Sequence, residues 1–177
     1  MIGPTRVHRA WTLLPTLRLP HIACSPHIPP PYIAPSLHRS GFFNDSAFFR
    51  YAPGLLVEWG VSGNASLNAE YAHTPIPGDP TGVKSNLRGT VSFADGGMGR
   101  ASVIFINFGN NSHLDTHIVP FATVAGKESM KTAEDIFDPT PGSANGVPPK
   151  AYADNGNAWI RKTYPGINFI TGVTLSE

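Results

Sequence analysis

The sequence carries one cysteine, Cys24, in 177 residues. No intrachain disulfide framework is available, and the redox compartment stays open. Charge is sparse, with Asp, Glu, Lys and Arg together at 14%. No apolar run approaches the ~18 residues that a membrane-spanning helix needs. Acidic residues are missing before Asp45 and lysines before Lys84. The early cations Arg6, Arg9, Arg18 and Arg39 are too dilute for a nucleic-acid-binding arm. No Ser-His-Asp or Cys-His arrangement for nucleophilic catalysis can be argued from spacing. Asp95-Gly96-Gly97-Met98-Gly99-Arg100 is glycine-rich but lacks the Lys-Ser/Thr ending of a phosphate loop, and reads as a mobile turn. No internal repeat recurs at a fixed period.

Turn formers are abundant instead. Glycine and proline number 18 each, more than a helix bundle tolerates, and hydrophobic residues reach 41%. This favours one β-rich domain with many turns and a real core. Eight prolines fall within the first 35 residues, including Pro29-Pro30-Pro31. Residues 1–38 therefore read as a separate Pro/Arg-rich segment. It fits an organelle transit peptide, for a plastid or mitochondrion, or a disordered tail on a cytoplasmic protein.

Beyond it, β-branched and aromatic runs with Gly, Pro, Asn or Asp flanks predict strands. They fall at Ala47–Ala52, Leu55–Gly60, Gly89–Ala94, Val103–Phe108, Ile118–Val124 and Ile167–Leu175. A helix is expected over Lys127–Phe137, with Met130, Ala133 and Phe137 on one face. A helical turn is expected over Asn155–Tyr164, ended by Pro165-Gly166. Gly63–Lys84 and Asp138–Asn157 read as long Pro/Gly-rich loops.

The most informative stretch runs from Phe48 to Gly60. It sets Arg50 among apolar residues and turns at Pro53-Gly54 into a second apolar run. An unpaired charge is costly to bury, so the fold should present this guanidinium at a surface. Three further segments follow: Asn86–Ala94, Val103–Asp115 and Pro120–Val124. A fifth runs from Met130 to Phe137. In this order and spacing, the five segments resemble cyclophilin-type peptidyl-prolyl cis-trans isomerases, from about Arg39 to the end.

That resemblance implies a mainly β fold over residues 39–177, a closed barrel with short helices. The family's first two strands and helix are not legible in residues 1–38, so the N-terminal strands are expected to be missing or divergent. It implies isomerisation of X-Pro bonds in peptides or protein clients, without a cofactor, a nucleic acid or a membrane span. Arg50 would be the catalytic residue. Phe105 would floor the proline pocket, with Leu55, Leu56 and Leu114 as walls. Ala94 and Asp95 would line the groove. Phe49, Glu58, Val103, His113 and Ile118 also match substrate-binding positions, but depart from the family's usual residues there. Glu58 stands where glutamine is common, and a carboxylate accepts hydrogen bonds without donating them. It is also placed to pair with Arg50. These departures weaken polar substrate contacts, so the rival reading is a catalytically weak interaction subunit of a larger complex.

Other motifs are weaker. His113-Leu114-Asp115-Thr116-His117 holds ligand types, but zinc needs three or four that converge. No metal site is expected. Asn44-Asp45-Ser46, Asn64-Ala65-Ser66 and Asn110-Asn111-Ser112 match a glycosylation sequon that is frequent by chance.

Overall fold

A computed structural model describes residues 22–24, 41–71, 80–95 and 100–171. Its centre is an antiparallel sheet of strands β1 (Ile22–Cys24), β2 (Arg50–Ala52), β3 (Leu56–Trp59), β4 (Thr90–Asp95), β5 (Arg100–Asn107) and β6 (Pro120–Val124). The spatial order is β1-β6-β4-β5-β3-β2. The expected β-rich fold is present. Among the described residues β1 and β2 end the order, and no pairing closes the sheet on itself. The helices are α1 (Ala65–Tyr71), α2 (Gly126–Glu134) and α3 (Pro149–Thr163).

Register divides the sheet into two unlike faces, because directly paired residues point the same way. One row runs Tyr51–Val57–Ile106–Val91–Ala122 across five strands. These side chains belong to the main core, with Phe42, Phe48, Trp59, Phe93, Phe121 and Ile170. Phe93 stacks on Phe121 at 4.6 Å between ring centroids. The adjacent row runs Arg50–Glu58–Phe105–Ser92 on the opposite face. The period-2 alternation of strands thus sends successive residues alternately to core and to the other face.

Several elements differ from the sequence expectation. Residues 22–24 form β1 against β6, with Ile22 opposite Val124, although their segment shows no clear alternation. Ala47–Ala52 narrows to Arg50–Ala52, and its first part bridges instead to the chain's end: Ala47 pairs with Phe169. Backbone hydrogen bonds join Phe48 to Asn168 and Ile170 to Ser46. That bridge is the described part of the expected Ile167–Leu175 strand; residues 172–175 lie outside the described residues.

Helix α1 occupies a stretch read as loop. Its start is fixed by Asn64, whose Oδ1 accepts from Ser66 N at 2.9 Å, the usual cap of an orphan helical N–H. Helix α3 begins within the second expected loop, after Pro148 and with Pro149 at its first position, where a missing N–H costs nothing. It kinks at Gly156, where φ is 67°. Helix α2 ends before Phe137, which is 47% exposed. Ile136, not Phe137, joins Met130 and Ala133 in the core.

Candidate functional site

The turn after β2 is built by Pro53 and Gly54. Pro supplies the fixed φ of its first position, and Gly54 takes φ 71° at the next. Leu55 N donates back to Ala52 O at 3.0 Å. This tight reversal sets Arg50 directly opposite Glu58. Arg50 Nη1 donates to Glu58 Oε2 at 2.8 Å. The side chains of Arg50 and Glu58 are 26% and 10% exposed. Arg50 Nε donates to the carbonyl of Ala144 at 2.7 Å. The guanidinium is therefore held from two sides while still reaching solvent.

The loop that supplies Ala144 approaches Arg50 closely. A Cβ on Gly146 would lie 2.5 Å from Arg50 Cβ. Next to it, Val147 N donates to Phe49 O at 2.8 Å. Only glycine fits at 146, both for that space and for φ 69°.

Beside the ion pair lies a small apolar cluster separate from the main core. Leu56, Phe105 and Ile118 are its buried members, with Leu55, Ala94 and Leu114 packed against them. Glu58 faces Phe105 across the β3–β5 pairing. Arg50 on β2 and Phe105 on β5 lie on strands that are not adjacent. Strand β3 separates them, so they share a face about 10 Å apart, at two strand spacings.

Other sequence candidates sit elsewhere. Phe49 is 1% exposed and packs in a second core cluster with Tyr152, Val61 and Ile160. Val103 packs against that same cluster, two residues before Phe105 on its face. Asp95 ends β4, exposed and opposite Arg100. His113 is exposed on the 3-10 turn Ser112–Leu114, next to Leu114 of the apolar cluster. The Asp115 carboxylate accepts hydrogen bonds from Ser85 and Asn86, and His117 Nδ1 lies 3.0 Å from the Thr116 hydroxyl. Among the described residues no three His, Cys, Asp or Glu side chains gather as a metal site would require.

The polar network was not singled out from sequence. Asn86 and Asn107 are fully buried, and Asn111 is 2% exposed. Asn86 Nδ2 donates to Asp115 Oδ1 at 2.8 Å and to the carbonyl of Ile118 at 2.9 Å. Its Oδ1 accepts from the Ser92 hydroxyl at 2.7 Å. Asn111 Nδ2 donates to Asn107 Oδ1 at 2.7 Å and to Leu55 O at 2.9 Å. Ser85 and Asn86 both donate to Asp115, and these hydrogen bonds hold its carboxyl below the usual aspartate range. The network fastens the Leu55 turn and the Ile118 segment, which supply two of the apolar cluster's residues. The available signal was Asn107 inside the apolar run Val103–Phe108, since a buried amide in a strand needs partners.

The family model for cyclophilin type peptidyl-prolyl cis-trans isomerase/CLD matches residues 36–152. Peptidyl-prolyl cis-trans isomerase A of Dickeya dadantii (strain 3937) is 32% identical over 79 residues. That match covers 44% of this chain and 41% of that protein, so the chain spans less than half of that relative's length. Cyclophilin AquaCyp293 from Hirschia baltica superposes with a TM-score of 0.51 at 14% identity, over 70% of this chain and 65% of that one. A cyclophilin type peptidyl-prolyl cis-trans isomerase from Cryptosporidium parvum, solved in the presence of the dipeptide Ala-Pro, gives a TM-score of 0.48 at 18% identity. It covers 66% of this chain and 75% of that chain. The family match takes in well over half of the sequence and both halves of the site, the Arg50 hairpin and the Phe105 strand. The chain belongs to the cyclophilin-type peptidyl-prolyl cis-trans isomerase family.

Proposed function

We propose that the protein is a peptidyl-prolyl cis-trans isomerase in which Arg50 stabilises the twisted imide. The observation that carries this reading is the guanidinium at a solvent-reaching position on the same sheet face as the Leu56–Phe105–Ile118 cluster. Rotation about X-Pro breaks amide resonance, with a barrier of roughly 18–20 kcal/mol. Twisting localises a lone pair on the imide nitrogen. An N–H of Arg50 aimed there stabilises the transition state more than either planar isomer, with no proton transfer and no covalent step.

The proline ring packs on Phe105, walled by Leu55, Leu56, Leu114 and Ile118. Burying its three methylenes contributes about 2 kcal/mol to binding. Ala94 and Asp95 at the end of β4 offer backbone groups to the peptide, and Val103 and His113 border the ends of the groove. Phe49 serves from beneath, as the buried residue whose carbonyl anchors the Arg50 loop. The clients are exposed X-Pro segments of peptides or proteins, and residues 39–177 form the isomerase domain. The sheet belongs, on this reading, to a closed cyclophilin-like barrel.

One observation favours a second reading. Arg50 already donates to Glu58 and Ala144. A guanidinium so engaged turns over slowly, and a site that binds peptide without efficient turnover is an interaction subunit. A proline-isomerisation assay on a short peptide separates the two. The expected result is a modest rate above background that Arg50→Ala abolishes and Glu58→Gln raises. If the wild type and Glu58→Gln both match the uncatalysed rate, the isomerase reading fails and the subunit reading replaces it.

A further inference from the structure

The loop that holds Arg50 contains the dipeptide Asn145-Gly146. Asn145 is exposed, and neither its side chain nor Gly146 N–H forms a hydrogen bond among the described residues. The neighbours on either side are both fastened: Ala144 O accepts from Arg50 Nε at 2.7 Å, and Val147 N donates to Phe49 O at 2.8 Å. Glycine at 146 is required by its φ of 69° and by its approach to the Arg50 backbone. The same missing Cβ leaves the Gly146 nitrogen unshielded and its backbone easily turned. The packing that holds Arg50 therefore places the least hindered possible residue after an exposed asparagine.

We propose that Asn145 is a site of spontaneous deamidation that loosens the hold on Arg50. The backbone nitrogen of Gly146 attacks Cγ of Asn145, and a C–N bond forms. Nδ2 leaves as ammonia, taking up the proton lost from the Gly146 nitrogen. The resulting five-membered imide is opened by one water. Cleavage at the side-chain carbonyl gives aspartate, and cleavage at the main-chain carbonyl gives isoaspartate. The net change consumes one water and releases one ammonia, with no oxidant or enzyme. Isoaspartate adds one methylene to the main chain between Ala144 and Gly146. Both residues touch Arg50, so their present spacing cannot be kept, and the guanidinium loses its carbonyl partner while retaining Glu58.

A second Asn-Gly pair provides an internal comparison. Asn155 lies inside α3 with Nδ2 donating to Ala151 O at 2.8 Å, and Gly156 is buried. Its cyclisation requires breaking that hydrogen bond and moving a glycine that is buried at the α3 kink beside the Gly63 carbonyl. The deamidation is independent of the isomerase reading; only its effect on proline turnover rests on that reading.

The test ages the full chain in warm, mildly alkaline buffer and follows both sites by peptide mapping with isoaspartate detection. Asn145 should convert at least about tenfold faster than Asn155, a ratio equal to about 1.4 kcal/mol of activation free energy. Reactivity of Arg50 with phenylglyoxal, an arginine reagent, should rise in step with conversion, and should stay flat in Asn145→Gln aged alongside. Conversion of Asn155 as fast as Asn145 overturns the proposal, as does Arg50 reactivity that is unchanged after Asn145 has converted. Isomerase rate is read on the same samples. Conversion and rising Arg50 reactivity without any proline turnover uphold the deamidation and count against the isomerase reading instead.

Discussion

The two faces of the sheet are held by different forces. On the core face, Val57, Ile106, Val91 and Phe93 are at most 1% exposed and meet other apolar side chains throughout. Their stability scales with area removed from water and tolerates modest changes of shape. On the other face the same strands carry Arg50, Glu58, Ser92 and Asn107, next to Leu56 and Phe105. Here each buried polar group depends on a particular partner, and removing one leaves another unsatisfied. The core face secures the fold; the opposite face trades tolerance for fixed positions of a few donors and an apolar floor.

The largest expected effect breaks the core face. Phe93→Ala removes a stacked ring from a site 1% exposed. It should lower unfolding stability by about 3–5 kcal/mol, read by denaturant titration. A loss well under that would mean that Phe121 and Arg100, whose guanidinium carbon lies 5.5 Å from the Phe93 ring centre, refill the space.

Breaking the polar network should come next. Asn86→Ala removes the side-chain partner of Asp115, Ser92 and the Ile118 carbonyl, while the backbone N–H at 86 still donates to Asp115. The expected cost is about 2–3 kcal/mol, and peptide affinity should fall with it because the Leu114–Ile118 segment loses its anchor. Unchanged affinity in the folded variant would show that the network is not what positions that segment.

Glu58→Gln sharpens the comparison by separating position from stability. An amide keeps a hydrogen-bond acceptor for Arg50 but drops the charge. Stability should change by about 1 kcal/mol or less, while isomerase rate rises roughly two- to tenfold. A large destabilisation without a rate gain would make Glu58 a structural partner only.

The smallest effect is pH-dependent. Asp115 is held below the ordinary aspartate value of about 4 by its hydrogen bonds from Ser85 and Asn86. A carboxyl depressed in the folded state contributes stability that is present above the unfolded value and lost as pH falls through the folded one. Amide exchange in the Ser85–Asn86 and Leu114–Ile118 segments should therefore speed up only in that acid window. Asp115→Asn should flatten the dependence; an identical acid response in that variant would assign the effect to another carboxyl.

Much of this was legible before any tertiary information. Composition excludes a disulfide framework and points to a β-rich fold. Alternation places strands close to their observed positions, and the order of five segments identifies the family. The Pro53-Gly54 turn determines by local geometry alone that Arg50 faces Glu58. Local signals failed where a feature had two meanings. Asn64 looked like part of a sequon, and it is the cap of α1. Phe137 fitted the apolar face of a helix that stops before reaching it.

Only the tertiary structure decided which apolar residues make the core and which make the site, because period-2 alternation assigns faces but not what covers them. Phe49 and Phe105 look alike in sequence; α3 buries the first and the 3-10 turn leaves the second in a separate cluster. Nor does sequence show that Ala144 and Gly146 close on Arg50, 94 residues from Ala144. Such contacts are set when distant segments pack, through a carbonyl that any residue carries and a glycine whose use is spatial. The residue types fix the chemistry on offer, and long-range packing fixes which groups meet.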